Sequence, residues 1–171
     1  DILPIWAVDR SANLASRGNI YIVWMDTRFN DPDHNDILLA RSTDGGLTWD
    51  APVVVDRAPV GVDAFTPYVD VDAQGRVAVT YYDFRNDVAG DAALSTDLWI
   101  THSHDEGQTF SDENRVTLSC FDMRTAPDAL GYFVGDYTGL AHFDSTFHAG
   151  WVGANDDNTS NRTDVFHRSA E

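Results

Sequence analysis

Short apolar runs separated by clusters of glycine, asparagine, aspartate and proline recur along the whole chain. Valine, isoleucine, tyrosine, tryptophan and threonine dominate these runs, and this composition is typical of β-strands. The run IYIVWM at residues 20–25 is apolar on both alternating faces, which predicts a strand in a sheet that is covered on both sides. No stretch has a convincing helical period. The pattern therefore predicts an all-β protein.

One pattern occurs three times. The segments GNIYIVWMDTR, GRVAVTYYDFR and STFHAGWVGAN align at residues 18–28, 75–85 and 145–155, and each is followed by a polar loop and a second apolar run. The repeat predicts three units of roughly sixty residues, at approximately 1–60, 61–120 and 121–171. The predicted strands are 4–8, 18–25, 36–42 and 50–56 in the first unit, 67–73, 75–83, 96–103 and 114–119 in the second, and 133–143, 145–152 and 163–169 in the third.

Four-stranded antiparallel sheets stacked against similar neighbours are the blades of a β-propeller. We therefore expect three such blades, the last lacking its fourth strand. Closed propellers have about four to eight blades, so three cannot complete a ring. Two explanations remain open: the chain is the C-terminal half of a longer, six-bladed propeller, or two copies form a homodimer that closes the ring.

Two octapeptides, STDGGLTW at residues 42–49 and SHDEGQTF at 103–110, share the pattern S-x-D-x-G-x-T-aromatic. Serine and aspartate side chains bond nearby backbone N–H groups, and glycine supplies the positive φ that a tight turn requires. We predict that both octapeptides are structural turns between the third and fourth strands, with the final aromatic ring filling the gap beside the turn. The residues assigned this role are Ser42, Asp44, Gly46, Thr48, Trp49, Ser103, Asp105, Gly107, Thr109 and Phe110.

Two such boxes in blade-sized units resemble the Asp-box, or bacterial neuraminidase, repeat of the sialidase-like β-propeller superfamily. The resemblance implies a secreted or cell-surface bacterial protein that is part of a glycan-processing glycoside hydrolase. The same superfamily contains sugar-binding propellers and non-enzymatic assembly factors. A non-catalytic glycan- or protein-binding propeller, and a structural half-propeller that dimerises, therefore remain as alternatives.

Polar residues concentrate in the loops that join strands two and three and in those that join strand four to the next blade. Within them, Asp26 with Arg28 and Asp83 with Arg85 lie two residues apart at the end of the second strand. Each pair forms an ion pair that stiffens its loop, or its arginine binds a substrate carboxylate. We predict that these four residues bind substrate.

A sialidase-type mechanism, which the resemblance implies, requires an arginine cluster, a tyrosine nucleophile, a glutamate that activates it and an acid/base aspartate. Arg124, Asp136 and Tyr137 are the candidate catalytic residues for such a set. The chain departs from the family in lacking an Arg-Ile-Pro motif. Moreover, we expect none of its glutamates (Glu106, Glu113 and Glu171) to lie beside a tyrosine.

The charge of the chain and its oxygen-rich loops indicate which partners and ions it can bind. The net charge of −17 repels nucleic acid, and the longest apolar run, residues 20–25, is too short to span a membrane. No cofactor is required, but oxygen clusters in the acidic loops would suit calcium. The candidate calcium ligands are Asp31, Asp33 and Asp36, with Asn35 nearby, or Asp156, Asp157 and Asn158.

Overall fold

A computed structural model describes residues 3–156 and 158–170, and in these residues the chain forms three antiparallel sheets and no α-helix. Blade 1 contains β1 to β4, blade 2 contains β5 to β8 with the short β9 also paired to β7, and blade 3 contains β10 to β12. The strands are β1 (Ile5–Val8), β2 (Ile20–Asp26), β3 (Asp36–Ser42), β4 (Val53–Val54), β5 (Ala64–Val71), β6 (Val77–Asp83), β7 (Ser95–Ser103), β8 (Ser111–Arg115), β9 (Phe121–Asp122), β10 (Gly139–Phe143), β11 (Thr146–Ala154) and β12 (Thr163–Ala170). A single 3₁₀ turn spans Met123–Thr125.

Burial follows the position of each blade in the stack. Every residue of β6 is buried, because blade 2 is covered by blade 1 on one face and blade 3 on the other. In β2, by contrast, Tyr21 and Val23 are buried against blade 2, while Ile22 and Trp24 are only partly covered. The IYIVWM run is thus covered on one face, not on both as its sequence predicts. Within the described residues, no neighbouring sheet packs on the second face of blade 1.

Several strands differ in extent from the prediction. The fourth strand of blade 1 is reduced to Val53–Val54, and that of blade 2 lies at Ser111–Arg115 instead of 114–119, because the chain re-enters the sheet directly after the second box. The first strand of blade 3 begins only at Gly139, since positive φ angles at Leu130 and Gly135 turn the preceding segment away from the sheet. Blade 3 has three strands in the described residues.

Both boxes form the same self-bonded turn between the third and fourth strands. In the first, the Ser42 hydroxyl accepts the Gly46 N–H (2.9 Å), and Asp44 accepts the Thr48 N–H (2.9 Å) and hydroxyl (2.6 Å). The hydroxyl and backbone donors of Thr48 lower the pKa of Asp44 to about 2. The second box repeats these bonds, and hydrogen bonds from Thr109 outweigh burial to hold the pKa of Asp105 at about 2 as well. The turns are therefore braced by their own carboxylates.

The aromatic residues that end the boxes differ in burial. Phe110 packs on the apolar cluster between blades 1 and 2, as expected of a residue that fills the gap beside the turn. Trp49 does not fill such a gap and is 43% exposed. Because the box of blade 2 packs its ring on the preceding blade, the equivalent surface for Trp49 would belong to a blade before blade 1.

Candidate functional site

The loops that leave one edge of the three blades form a single face, here called the mouth face. It comprises loops 27–35 and 84–94 and the described residues 155–156 and 158–162, which join second to third strands, and segments 55–63 and 116–138, which join one blade to the next. The first strands β1, β5 and β10 are neighbours in the stack and begin at this face. Every predicted catalytic, substrate-binding and calcium-binding residue that the structure describes lies on or beside the mouth face.

The two Asp-x-Arg pairs form the same ion pair in different surroundings. Arg28 contacts Asp26 at 2.7 Å and keeps 51% of its side chain exposed, and hydrogen bonds from Arg28 and Trp24 outweigh burial to lower the pKa of Asp26. Arg85 pairs with the fully buried Asp83 and stacks its guanidinium 3.9 Å from the centre of the Trp99 ring. Of the two arginines, Arg28 is therefore the one accessible to a ligand carboxylate.

A glutamate does lie beside a tyrosine, contrary to the sequence-based expectation. Glu113 accepts hydrogen bonds from the Tyr81 hydroxyl and from Arg85 Nη1 (2.5 Å), and its side chain is only 7% exposed. The Tyr81 oxygen also accepts bonds from Arg85 Nη2 (3.0 Å) and the Arg57 N–H (3.3 Å). The prediction was wrong because it began the fourth strand at residue 114, which left Glu113 in a loop instead of on β8.

Tyr81, Glu113 and Arg85 are the residue types that a sialidase-type mechanism requires, but they are not accessible to a substrate. Tyr81 is completely buried between blades 1 and 2. Burial raises the pKa of its hydroxyl far above the ordinary value, and the negative charge of Glu113 raises it further. A nucleophilic oxygen must reach its substrate and lose its proton readily, and Tyr81 does neither. The cluster links β6, loop 84–94 and β8 within blade 2, and the Arg57 N–H joins it to the segment that follows blade 1.

An aspartate begins or nearly begins the third strand of each blade, and an asparagine from the preceding loop donates a hydrogen bond to it. Burial raises the pKa of Asp36, which opens β3. The alignment of the aspartates was visible in the sequence, but their asparagine partners were not predicted. The three bonds, here called the loop braces, are Asn30 to Asp36 (2.7 Å), Asn86 to Asp97 (2.8 Å) and Asn155 to Asp164 (2.9 Å).

The geometry gives little support to the predicted calcium sites. Asp36 is buried and bonded to Asn30, whereas Asp31 and Asp33 are exposed and linked only by a 3.3 Å bond from the Asp33 N–H to Asp31. Asp156 instead fixes the chain by accepting the Asp122 N–H at 3.0 Å. In the part of the chain that the structure describes, no three acidic, histidine or cysteine side chains are arranged to hold a metal ion. Asp157 lies outside the described residues, and calcium binding remains a prediction.

In the described part of the chain, the three predicted catalytic residues make no hydrogen bond or ion pair with one another. Arg124 donates to the backbone carbonyls of Ala93 (2.7 Å) and Asp91 (3.4 Å), and so ties loop 84–94 to the 3₁₀ turn. Asp136 and Tyr137 precede β10 and are exposed, Tyr137 by 72%. Arg124 thus holds a loop in place, whereas Asp136 and Tyr137 are accessible side chains at the mouth face.

A histidine–aspartate pair that was not predicted lies at the entrance to β5. His34 Nδ1 is 3.1 Å from Asp63 Oδ2, and the other carboxylate oxygen accepts the Asn35 N–H at 2.8 Å. The hydrogen bond with Asp63 raises the pKa of His34. Both side chains are about one-third exposed. The two residues are 29 positions apart and share no motif, so only the packing of blade 1 against blade 2 brings them together.

A cavity of about 500 Å³ opens between segment 116–121 and blade 3. Its walls include Trp151 and Phe166, whose rings stack with centroids 5.7 Å apart, together with Phe121. Asp164 and Arg168 add charged groups to the walls. Cavities of this size with aromatic walls and a few polar groups are the usual form of a small-molecule site.

Comparison with known proteins supports the same architecture. No protein-family profile matches the chain. A sialidase of Paraclostridium sordellii is 26% identical in an alignment of 137 residues, and the match covers 73% of this chain and 34% of the sialidase. An α-L-arabinanase of Penicillium chrysogenum complexed with arabinobiose superimposes with a TM-score of 0.59 at 17% identity, over 98% of this chain and 45% of the arabinanase. A Hadza microbial sialidase superimposes with a TM-score of 0.58 at 16% identity, over 97% of this chain and 37% of the sialidase.

These similarities confirm the predicted all-β propeller and support the sialidase-like propeller superfamily. The chain spans between a third and a half of the length of each of these proteins. This partial coverage fits a half-propeller.

Proposed function

We propose that the chain forms part of a glycan-processing glycoside hydrolase of sialidase type, in which its mouth face provides one side of the substrate site. The proposal is supported by the resemblance to one sialidase in sequence and to a sialidase and an arabinanase in fold. An enzyme that acts on extracellular glycans would be secreted or displayed at the cell surface. Among the described residues, no helix is long and apolar enough to cross a membrane.

The observation on which the proposal rests is the accessibility of Tyr137. Its side chain is 72% exposed and precedes β10, the first strand of blade 3, at the mouth face. A tyrosine nucleophile must be accessible to the anomeric carbon of its substrate, and Tyr137 is exposed whereas Tyr81 is completely buried. Asp136 is its exposed neighbour and a candidate acid/base. Arg28 is an accessible partner for the carboxylate of a sialic acid.

The remaining groups of the mechanism would come from another part of the assembled propeller. Glu113 is enclosed with Tyr81, and Glu106 lies in the turn of the second box. Neither is free to activate Tyr137. Under this proposal Arg124 fixes loop 84–94 and acts on the substrate only indirectly.

The test is covalent trapping of the nucleophile. The assembled propeller, which includes the part that supplies the groups missing from this chain, is incubated with a fluorogenic sialoside and with a fluorinated, mechanism-based sialoside inhibitor, and then analysed by intact mass and peptide mapping. We expect an adduct on the peptide that contains Tyr137, and its loss in Tyr137→Phe. Tyr132→Phe is the matched control, because Tyr132 lies in the same segment and is 54% exposed. An adduct that persists in Tyr137→Phe would refute the assignment.

A second function, glycan binding without catalysis, is favoured by the cavity beside Trp151. Its stacked aromatic pair offers a flat apolar surface, and its carboxylates and amides offer hydrogen bonds, as a sugar ring requires. The exposed Phe166 is the residue to change, because Trp151 is 7% exposed and contributes to the core. Binding of sialyl- or arabino-oligosaccharides that is lost in Phe166→Ala, with no turnover by the unmodified protein, would favour this function.

Assembly is proposed to complete the ring. The outer faces of blades 1 and 3 expose Trp6 (74%), Phe143 (74%) and Val165 (81%), and apolar surface of this kind promotes association. A second copy or further blades of a longer chain would cover them. Sedimentation at several concentrations distinguishes a dimer from the 18.9 kDa monomer.

A further inference from the structure

The junction between blades 1 and 2 shows how a box turn packs on the blade that precedes it. A Cβ at Gly107, in the second box, would lie 3.0 Å from the Tyr21 ring and 3.3 Å from Leu39 Cδ2, so this glycine lies directly on blade 1. Its neighbour Glu106 accepts a hydrogen bond from Arg41 Nη1 through its backbone carbonyl, at 3.2 Å. Tyr21, Leu39 and Arg41 therefore form the surface on which the following box packs, here called the box seat.

Blade 3 has an equivalent box seat, on which no box packs among the described residues. The repeat alignment and the strand registers give the equivalent positions: His148 for Tyr21, His167 for Leu39 and Ser169 for Arg41. Phe147, next to His148 on β11, is buried against blade 2, so both histidines lie on the outward face of blade 3. His148 is half-buried and His167 is exposed, whereas Tyr21 and Leu39 are buried beneath the second box.

The first box is in the converse situation. Gly46 corresponds to Gly107, and apart from its chain neighbours only Ile20 Cδ1, of its own blade, lies within 4 Å of a Cβ placed there. Trp49 corresponds to Phe110 and is 43% exposed, whereas Phe110 packs into the apolar cluster between blades 1 and 2. Among the described residues, the chain thus carries a box without a seat on blade 1 and a seat without a box on blade 3.

The outward faces of blades 1 and 3 are complementary in size and depleted in charge. In the seat of blade 3, Gly150 stands where blade 1 has Val23. This smaller residue leaves room for Trp49, which is larger than Phe110 of the second box. Although the net charge is −17, no outward residue in the described strands of blade 3 is acidic, and in those of blade 1 the outward acids lie at the mouth end. Depletion of charge is typical of the centre of a protein interface.

We propose that the outward face of blade 3 docks blade 1 of a second copy of this chain, whose first box packs on His148 and His167. The inference rests on the assembly proposed above and specifies its partner and its contact. The second copy makes the same contact in return, so two chains close a ring of six blades, which is within the range of closed propellers. The junction between chains then repeats the packing of blade 2 on blade 1 within one chain.

Sedimentation equilibrium of the whole chain at several concentrations tests the docking surface. We expect a particle of twice the 18.9 kDa chain mass, and a Kd of dimerisation raised at least about tenfold in Trp49→Ala and in His167→Asp. Phe29→Ala is the matched control, because Phe29 is 54% exposed in mouth loop 27–35, and it should dimerise as the unmodified protein does. Trp49 and His167 are both exposed, so circular dichroism should show an intact fold in their variants.

A designed ion pair tests the register of the contact. Arg41 bonds to Glu106 at the internal junction, and the equivalent positions across the junction between chains are Ser169 and Gly45. Gly45→Glu combined with Ser169→Arg should dimerise more tightly than either single variant, and Gly45→Arg combined with Ser169→Arg more weakly. Glu106 has a φ of +64°, so a glutamate is compatible with this position of the box. Blade 2 separates the two positions within one chain, so only a contact between chains couples them.

Three results would overturn the proposal. A particle that keeps the mass of one chain at all concentrations would exclude a second copy as the partner. A dimer that is unaffected by Trp49→Ala, by His167→Asp and by the designed pairs would exclude this contact, as would an equal loss in Phe29→Ala. None of these results depends on covalent trapping at Tyr137, so failure of the docking surface is distinguishable from failure of the proposed glycoside hydrolase.

Discussion

Removal of the Glu113 carboxylate should destabilise blade 2, in which it holds Tyr81 and Arg85. In Glu113→Ala, the Tyr81 hydroxyl loses its acceptor and Arg85 loses one of its two carboxylate partners. These groups are largely enclosed, with 14% of the Arg85 side chain exposed, so water does not fully replace the lost bonds. Asp83 still neutralises part of the Arg85 charge.

The expected magnitude follows from this enclosure. Breaking a buried ion pair by removing one partner costs about 3–5 kcal/mol, and the remaining Asp83 contact reduces this to about 2–4 kcal/mol. For a chain of this length, such a loss lowers the unfolding midpoint by roughly 4–16 °C. Glu106→Ala is the matched control, since its pair with Arg41 is 3.4 Å long and the Glu106 side chain is 33% exposed. That variant should lose under about 1 kcal/mol.

Urea unfolding followed by tryptophan fluorescence measures both variants under identical conditions. Tyr81→Phe should fall between them, at about 1–2 kcal/mol, because it removes one hydroxyl and leaves the ion pair. A double-mutant cycle of Tyr81→Phe with Glu113→Gln isolates the coupling of the two side chains. Equal free energies of unfolding for Glu113→Ala and Glu106→Ala would contradict the interpretation that the enclosed cluster stabilises blade 2.

Three further predictions concern a glycine, a buried acid and an exposed ring. Gly107→Ala should lower the free energy of unfolding by about 2–5 kcal/mol, because a Cβ there would lie 3.0 Å from the Tyr21 ring and the backbone φ is +80°. Gly46→Ala, with a φ of +90° and 3.8 Å to the nearest atom, should lose only the backbone contribution of about 1–2 kcal/mol. Equal losses in urea unfolding would argue against a steric clash at Gly107. Burial raises the pKa of Asp56 from 3.8 to about 6, so the native state binds more protons than the unfolded state in that pH interval. The free energy of unfolding should therefore fall by up to about 3 kcal/mol as the pH rises through the interval, and Asp56→Asn should reduce this pH dependence. An unchanged pH dependence in Asp56→Asn would assign it to other groups. Trp6→Gln should weaken any self-association seen by sedimentation without lowering the unfolding midpoint by more than about 2 °C, since Trp6 is 74% exposed.

The sheets and box turns could be predicted because their signals are local. The β-branched and aromatic residues that mark β6 and β7 as strands lie within a few positions of one another, and the bonds within residues 42–49 join residues at most four positions apart. The box contacts accordingly follow from the type and spacing of the residues alone.

The site depends on distant residues, and much of it could not be predicted. Tyr81 and Glu113 are 32 positions apart and meet only when β8 has the observed register. His34 and Asp63 meet only when blade 2 packs on blade 1. The exposure of Trp49 likewise depends on which neighbour is present, and this information is not contained in its own octapeptide.

The loop braces have a consequence for how such a scaffold changes its ligand. Each loop between second and third strands is fastened near its base by one amide–carboxylate bond, at Asp36, Asp97 and Asp164. Residues beyond that anchor can vary in length and chemistry without disturbing the strands that carry them. New ligand specificity would then arise by changes in the outer residues of these loops, in one blade at a time, while the strands and their anchoring bonds stay the same.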